Sequence, residues 1–449
     1  MPGGQYKKLV PTDTIKEIAC YTALLVFISA VWVETDVYRY VALATILPVS
    51  AYYLYKDFLT EETVRIGYVG LLCIAWGLYV LVRCLYSYYL HRDFGMGSSE
   101  GIYMLPALYP ISGYAVFLFI RRPFIVVCCF LLISFLVALY SLDVAAILGG
   151  HRAETPLHSN PIHAAVGQGM IVLCMLPFAN YLVHASEIRP ALRIGLAVMS
   201  IATFFVGLAN IYALESKGVW LALAVALPFQ LFLLATMHRA RQTVLVAAVV
   251  FFIAVAAAVV VAWDGIMAVA GTTADATAKL LSDILSGTGV LEAMDRAIEN
   301  DANPASFRER LMLWASAILI WVKDPIFGQG VTWLHEWQAR AYPETDFNLI
   351  HNGYLEIAIR YGIAGLAFYA VLFSWAIRQV WRAKRAGIID PAAFQAYMAV
   401  FLFFCITIFS NSNIRLALGE SYMWFSAAFA FYCYYYLQRR GLVKVTTWM

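Results

Sequence analysis

The chain has 449 residues, of which 62% are apolar, 15% aromatic and 13% charged, with a formal net charge of +3. A soluble domain carries about 45–50% apolar and about 25% charged residues, so this composition excludes a soluble globular protein. It is also opposite to that of a disordered chain, and so small a net charge gives no reason to expect nucleic acid.

Read from the N-terminus, Lys7, Lys8 and Lys16 flank an apolar run over 14–33. The run has no A-x-A site and approaches the ~20 residues of a spanning helix, so it is expected to be an uncleaved first span rather than a signal peptide. Eleven further runs follow, at 37–55, 64–88, 102–120, 123–142, 162–184, 191–212, 218–237, 243–262, 354–377, 392–410 and 420–437. The chain therefore reads as an all-α polytopic membrane protein of about 12 transmembrane helices. The eight cysteines all fall inside apolar runs and show no metal or redox spacing. They read as small packing residues.

The connectors alternate between two faces. One carries 18 basic residues, from Lys7 to Lys444, whereas the short connectors of the other carry 5: Arg39, Arg92, Arg152, Lys217 and Arg415. The positive-inside rule places the first face, with both termini, in the cytoplasm.

Residues 263–353, 91 in number, form a long loop on the outer face; loops of that length usually carry function. The expected division is 1–262 (transmembrane helices 1–9), 263–353 (a large, helical periplasmic loop domain between spans 9 and 10) and 354–449 (helices 10–12 and a cytoplasmic tail). Within the loop, Asn303-Pro304 reads as an N-cap with Pro at the first helical position, opening a helix over Ala305–Val322 that Asp324-Pro325 ends. A second short helix is expected around Trp333–Ala341.

Ionisable groups at the outer rim are costly and mark candidate sites. His351, in the stretch Asn348 to Tyr354, lies where the loop re-enters the membrane. The positive end of the following helix would keep its imidazole neutral, the form a general base needs. On position alone a capping or interfacial role is the simpler reading. Arg308 and Arg310 open the loop helix, and Arg310 shares a face with Trp314. They suit either a bidentate grip on phosphate or a solvated helix face. Lys217, in Ser216-Lys217-Gly218, suits an anion at a helix N-terminus or a snorkelling lysine. Gly218 would let a ligand approach the backbone.

The connector holding His151, Arg152, His158, Asn160 and His163 is broken by Pro156 and Pro161, which argues against metal. Glu34-Thr35-Asp36 has the look of a short cation-binding motif, but a solvated turn is the preferred reading. Glu356 and Arg360, four apart, read as an intrahelical ion pair. Persistent basic residues at the outer boundary, Arg83 among them, suggest an anionic ligand with a lipid-soluble part. The loop itself is acidic, with twelve acids against six bases, so only selected arginines would face such a ligand.

Three stretches together resemble the signature of the bacterial O-antigen ligase and polymerase superfamily. They are Arg310-Leu-Met-Leu-Trp314 with Asp324-Pro325-Ile-Phe-Gly328-Gln-Gly330, then His351-Asn352-Gly-Tyr354-Leu355, then Tyr361-Gly362-Ile-Ala-Gly365. Ser216-Lys217-Gly218 is similar to the family's Ser-Arg-Gly motif, with lysine where arginine is usual. That departure keeps the charge and loses the planar fork.

The resemblance implies a C-type glycosyltransferase-like fold in the bacterial inner membrane with its active site facing the periplasm. It implies a metal-independent, inverting glycosyltransferase, an O-antigen ligase, without a cofactor. The donor would be a glycan on undecaprenyl diphosphate and the acceptor lipid A–core oligosaccharide, with membrane lipids as the surroundings. His351 matches the family's essential histidine and Arg310 its loop arginine. The expected catalytic set is then His351, Arg310 and Lys217, with Arg308, Arg152, Asn352, Tyr354, Trp314, His163 and Arg39 binding substrate. An O-antigen polymerase or a protein O-oligosaccharyltransferase of the same superfamily is an alternative. A transporter of lipid-linked glycans is another, although no matched pair of broken spans supports it.

Overall fold

The computed structural model describes residues 14–59, 64–90, 98–184, 189–237, 253, 257, 259–261, 263–343, 345, 347 and 349–443. The predicted ninth span over 243–262 lies almost wholly outside the described residues, as do Lys7, Lys8, Arg92, Arg239, Arg241 and Lys444.

Among the described residues the chain is helical, with no strand. Helix α1 spans Thr14–Phe27, and α2 (Val37–Val41) runs through a π-helical stretch, Ala42–Ile46, into α3 (Leu47–Leu59). There follow α4 (Gly67–Leu90), a 3₁₀ stretch Ser98–Leu108 leading into α5 (Tyr109–Phe119), α6 (Pro123–Tyr140), the short α7 (Val144–Gly149), α8 (Pro161–His184), α9 (Pro190–Ala213) and α10 (Lys217–Met237). The long loop contributes α11 (Trp263–Leu285), α12 (Val290–Glu299), α13 (Ala305–Lys323) and α14 (Trp333–Gln338). The chain returns as α15 (Gly353–Arg385), α16 (Pro391–Thr407) and α17 (Ala417–Arg439). Pro123, Pro190 and Pro391 open their helices, where a missing N–H costs nothing.

Seven of these helices are long and apolar enough to cross a membrane: the segments Gly67–Leu90, Glu100–Phe119, Pro123–Tyr140, Pro161–His184, Pro190–Ala213, Lys217–Thr236 and Gly353–Arg385. Helix α4 turns Leu71, Leu78, Val82 and Leu85 outward, as a lipid-facing surface requires. The chain is thus a polytopic helical membrane protein. The first predicted run is a helix of only 14 residues followed by a 3₁₀ turn at Ser29–Val31.

Helix α17 lies at the centre, packed on α5 and α15. Three of its polar side chains bond inside the bundle: Trp424 Nε1 donates to Ser112 Oγ (2.7 Å), Ser421 Oγ to the Phe27 carbonyl (2.6 Å) and Tyr435 OH to the Pro110 carbonyl (3.1 Å). Buried Ala427, Ala428 and Ala430 let its neighbours come close.

The third helix of the loop starts at Ala305 as expected, but its cap lies one residue later than the sequence suggests. Pro304 is the N-cap, and Asn303 turns back so that its Nδ2 donates to the Ala297 carbonyl (2.7 Å) in the last turn of α12.

Helix α15 breaks at Gly362, where φ is 61° and ψ is −156°, a conformation essentially reserved for glycine. The break is filled from the loop: the Ile363 and Ala364 N–H groups donate to the carbonyls of Pro325 (2.9 Å) and Ile326 (3.0 Å), and Gln329 N–H donates to Ile359 (2.6 Å). A Cβ on Gly362 would strike the Ile326–Phe327 backbone, and one on Gly328 the backbone of Ile359–Tyr361. The two glycine motifs are therefore the halves of one backbone clasp. Gly362→Ala is expected to cost about 1–3 kcal/mol from the backbone conformation alone, with steric overlap added. A lowered unfolding temperature of the purified protein in detergent checks it.

Candidate functional site

The start of α15 is built by its own sequence. Asn352, buried, caps the helix: its Oδ1 accepts from the N–H groups of Tyr354 (3.0 Å) and Leu355 (3.1 Å). Glu356, fully buried, reaches back to the Ile350 N–H (3.2 Å) and also accepts from Ser412 Oγ (3.1 Å). Gly353 N–H donates to the Ile408 carbonyl (2.7 Å). The connector between α16 and α17 is thereby folded against the helix start.

Beneath it lies a network of four charges. Arg360, fully buried, pairs with Glu100 and stands 3.4 Å from Glu356, while Arg415 stands 3.3 Å from the same Glu356. Tyr361 OH donates to Glu100 (2.6 Å). Both guanidiniums face the Trp333 ring of α14, that of Arg360 at 4.0 Å and that of Arg415 at 5.6 Å. The intrahelical pair read from the sequence is thus part of a cluster joining four separate elements. Loss of one partner from such a cluster leaves a buried charge uncompensated.

On this base His351 sits with φ at 55°, a left-handed conformation that is strained for any residue but glycine. Its Nδ1 lies 3.4 Å from Asn411 Oδ1 in the α16–α17 connector, and its ring packs edge-on against Phe347, centroids 5.3 Å apart. Burial pushes its pKa below the usual histidine value; the Asn411 contact opposes the shift and the Arg310 charge reinforces it. The neutral imidazole expected from a helix terminus therefore arises first from desolvation.

Beside it is a cavity of about 270 Å³, and Arg152, Lys217, Arg310 and Asn411 are among the residues that line it. The loop helix α13 thus meets the start of α10 and the two neighbouring connectors at one point. Among the described residues Arg310 has no carboxylate at ion-pairing distance, and burial holds its pKa below the ordinary arginine value without discharging it. Lys217 Nζ donates to Thr273 Oγ1 (2.9 Å) of α11, and Arg152 Nε donates to the Leu214 carbonyl (3.2 Å). Among the described residues that line it, Glu215 is the one carboxylate. Three cations against one anion make the wall a site for anionic groups. Gly218 also lines the cavity, and a Cβ there would strike the Ser410 hydroxyl.

Other residues expected at the site have partners elsewhere. Arg39 pairs with buried Glu420 and with Asp36 (3.3 Å). Arg308 pairs with Asp301 (2.6 Å). Neither lines the cavity. Asn352 is spent on its cap. Tyr354 OH donates to the Cys405 carbonyl (2.9 Å), and Trp314 packs edge-on against Phe409, 5.5 Å away. His163 stands with Nδ1 3.6 Å from Glu34.

Glu34 is exposed, as a solvated turn requires, but its carboxylate is held in place. The Ser159 N–H (2.8 Å) and Oγ (2.6 Å) both donate to it. Burial would raise its pKa, but these bonds and the nearby histidines more than offset that and hold it below the usual value. Arg83 donates to the Phe327 and Gly328 carbonyls, steadying the clasp rather than a ligand. Asn411 and Asn413 were not singled out by the motifs. Their signal is the polar run Ser410–Asn413 between two apolar stretches.

An all-helical, multi-pass membrane protein with a cationic cavity beside a neutral histidine is the class that fold and site define. Residues 202–370 match the family model described as O-antigen ligase, so over that stretch the chain is similar to the O-antigen ligase superfamily, as its motifs imply. No curated protein matches the chain. The matched stretch contains Lys217, Arg310 and His351, whereas Arg152, Asn411 and Arg415 lie outside it.

Proposed function

We propose that this protein is an inverting glycosyltransferase that moves an O-antigen glycan from undecaprenyl diphosphate to lipid A–core oligosaccharide on the periplasmic face of the inner membrane. The observation that carries the reading is the meeting of Arg310, Lys217 and Arg152 around one cavity, with Asn411 linking its wall to His351. A lipid diphosphate needs fixed positive charge where its negative charge develops as the bond to the sugar breaks. Its acceptor needs a neutral base.

His351 takes the proton of the acceptor hydroxyl as that oxygen attacks the anomeric carbon. The carbon–oxygen bond to the diphosphate breaks on the opposite face, which inverts the centre. Arg310 and Lys217, with Arg152 at the rim, stabilise the departing diphosphate. Their charge takes the place of a metal ion, so transfer is expected to survive a chelator; loss restored by Mg²⁺ or Mn²⁺ would show otherwise.

The deciding experiment incubates purified protein with lipid-linked glycan and rough lipopolysaccharide and identifies the product. Glycosylated lipopolysaccharide supports the reading. A lengthened lipid-linked glycan would instead make the protein a polymerase, and a glycosylated polypeptide a protein O-oligosaccharyltransferase.

The lowered pKa of His351 sets the pH dependence. A base works in its unprotonated form, so the rate rises with pH and levels off. The midpoint of that rise in kcat/KM is expected below 6.5, the ordinary histidine value. A midpoint above it would count against His351 as the base.

A further inference from the structure

We propose that Asn411 is the positioning residue for His351: its amide oxygen holds the imidazole with the proton on Nδ1, leaving the lone pair on Nε2. The Ser412 N–H donates to Asn411 Oδ1 at 2.9 Å, and a backbone N–H fixes which end of the amide is oxygen. His351 Nδ1 faces that same oxygen at 3.4 Å. A ring nitrogen held against an acceptor is the one that carries the hydrogen, so the other nitrogen is the basic one.

The rest of the amide agrees. Asn411 is 5% exposed and lines the cavity, and its Nδ2 has no partner among the described residues. Asn413, fully buried in the same wall, has both amide atoms unpartnered among the described residues. Buried amide donors without partners are costly in a resting protein and are satisfied when an oxygen-rich ligand enters. The connector thus orients the base with one end of an amide and offers the cavity the other. Arg310 and Glu309 face His351 from α13, Glu356 from α15 and His163 from α8. None of the four makes a hydrogen bond to its ring among the described residues.

That the base serves glycosyl transfer rests on the function proposed above; the tautomer does not. The test is therefore spectroscopic first. Full-length protein labelled with ¹⁵N-histidine in detergent is examined by NMR, with the His351 signal assigned by its loss in His351→Gln. In the resting wild type at neutral pH, Nδ1 is expected to be protonated and Nε2 bare.

Asn411→Leu should mix the two forms and lower kcat by about 10²-fold, inside the about 10²–10⁴ that a general base supplies. Asn411→Asp keeps an acceptor for Nδ1–H and adds a charge that favours imidazolium. It should keep the wild-type tautomer and move the acidic limb of the pH profile upward. An Nε2–H histidine in the wild type overturns the proposal even if glycan is transferred. So does an Asn411→Leu protein with unchanged tautomer and kcat. Should Asn411→Leu fail to fold, the wild-type spectrum and the Asn411→Asp profile decide it. A wild type with the expected tautomer that transfers no glycan to any acceptor would sink the transferase reading and leave the assignment standing.

Discussion

Transfer is expected to fail in His351→Ala while the protein remains folded. General-base assistance is worth about 10²–10⁴ in rate, and alanine removes all of it. The fold should survive because the helix start does not depend on the imidazole: Asn352 caps it, and Glu356 ties it to Ile350, Ser412 and Arg415. Relief of the left-handed conformation at position 351 is open to alanine no more than to histidine, so no repacking is driven from there. Product formation by purified protein, read beside its circular dichroism, tests both halves. Near-normal transfer by the variant would remove the histidine from the mechanism.

Arg310→Ala should be the second most damaging change. Removing one preorganised donor from a developing oxyanion costs about 10²–10³ in kcat, and here the lost group is a full charge. Arg310→Lys should recover part of the rate, since it restores charge without the bidentate fork. Lys217→Ala should cost less, because its ammonium is shared with Thr273. The two losses should not add, since both cations line one small cavity. Donor kcat/KM for the single and double variants measures this, and a rate unchanged in Arg310→Ala would return that arginine to the role of a helix-surface residue.

The spans were legible because a membrane helix writes its length as an uninterrupted apolar run. The runs at 162–184 and 191–212 become Pro161–His184 and Pro190–Ala213, and the loop helix over 305–322 becomes Ala305–Lys323. Helices α11 and α12 escaped notice for the complementary reason. In α12 the apolar residues, such as Met294 and Ile298, recur on one face between charges and make no run, and in α11 Asp264, Asp275, Lys279 and Asp283 interrupt them.

At the site, the cations and the histidine could be picked out by type and position, but not their partners. Nothing near Arg39 in sequence announces Glu420, and nothing near Arg360 announces Glu100; those pairings exist only once distant helices meet. The same is true of Asn411, whose importance comes from an imidazole 60 positions away.

The clasp between Gly328 and Gly362 has a mechanical corollary. Arg310 is carried by the helix that leads into one half of it, and His351 by the segment that leads into the other. Both side chains therefore hang from a single backbone knot, and in the proposed reaction their separation would be set before any glycan arrives. A donor entering the proposed site would then meet a preassembled pair, and its entry would cost chiefly the shedding of headgroup water rather than a reshaping of the polypeptide.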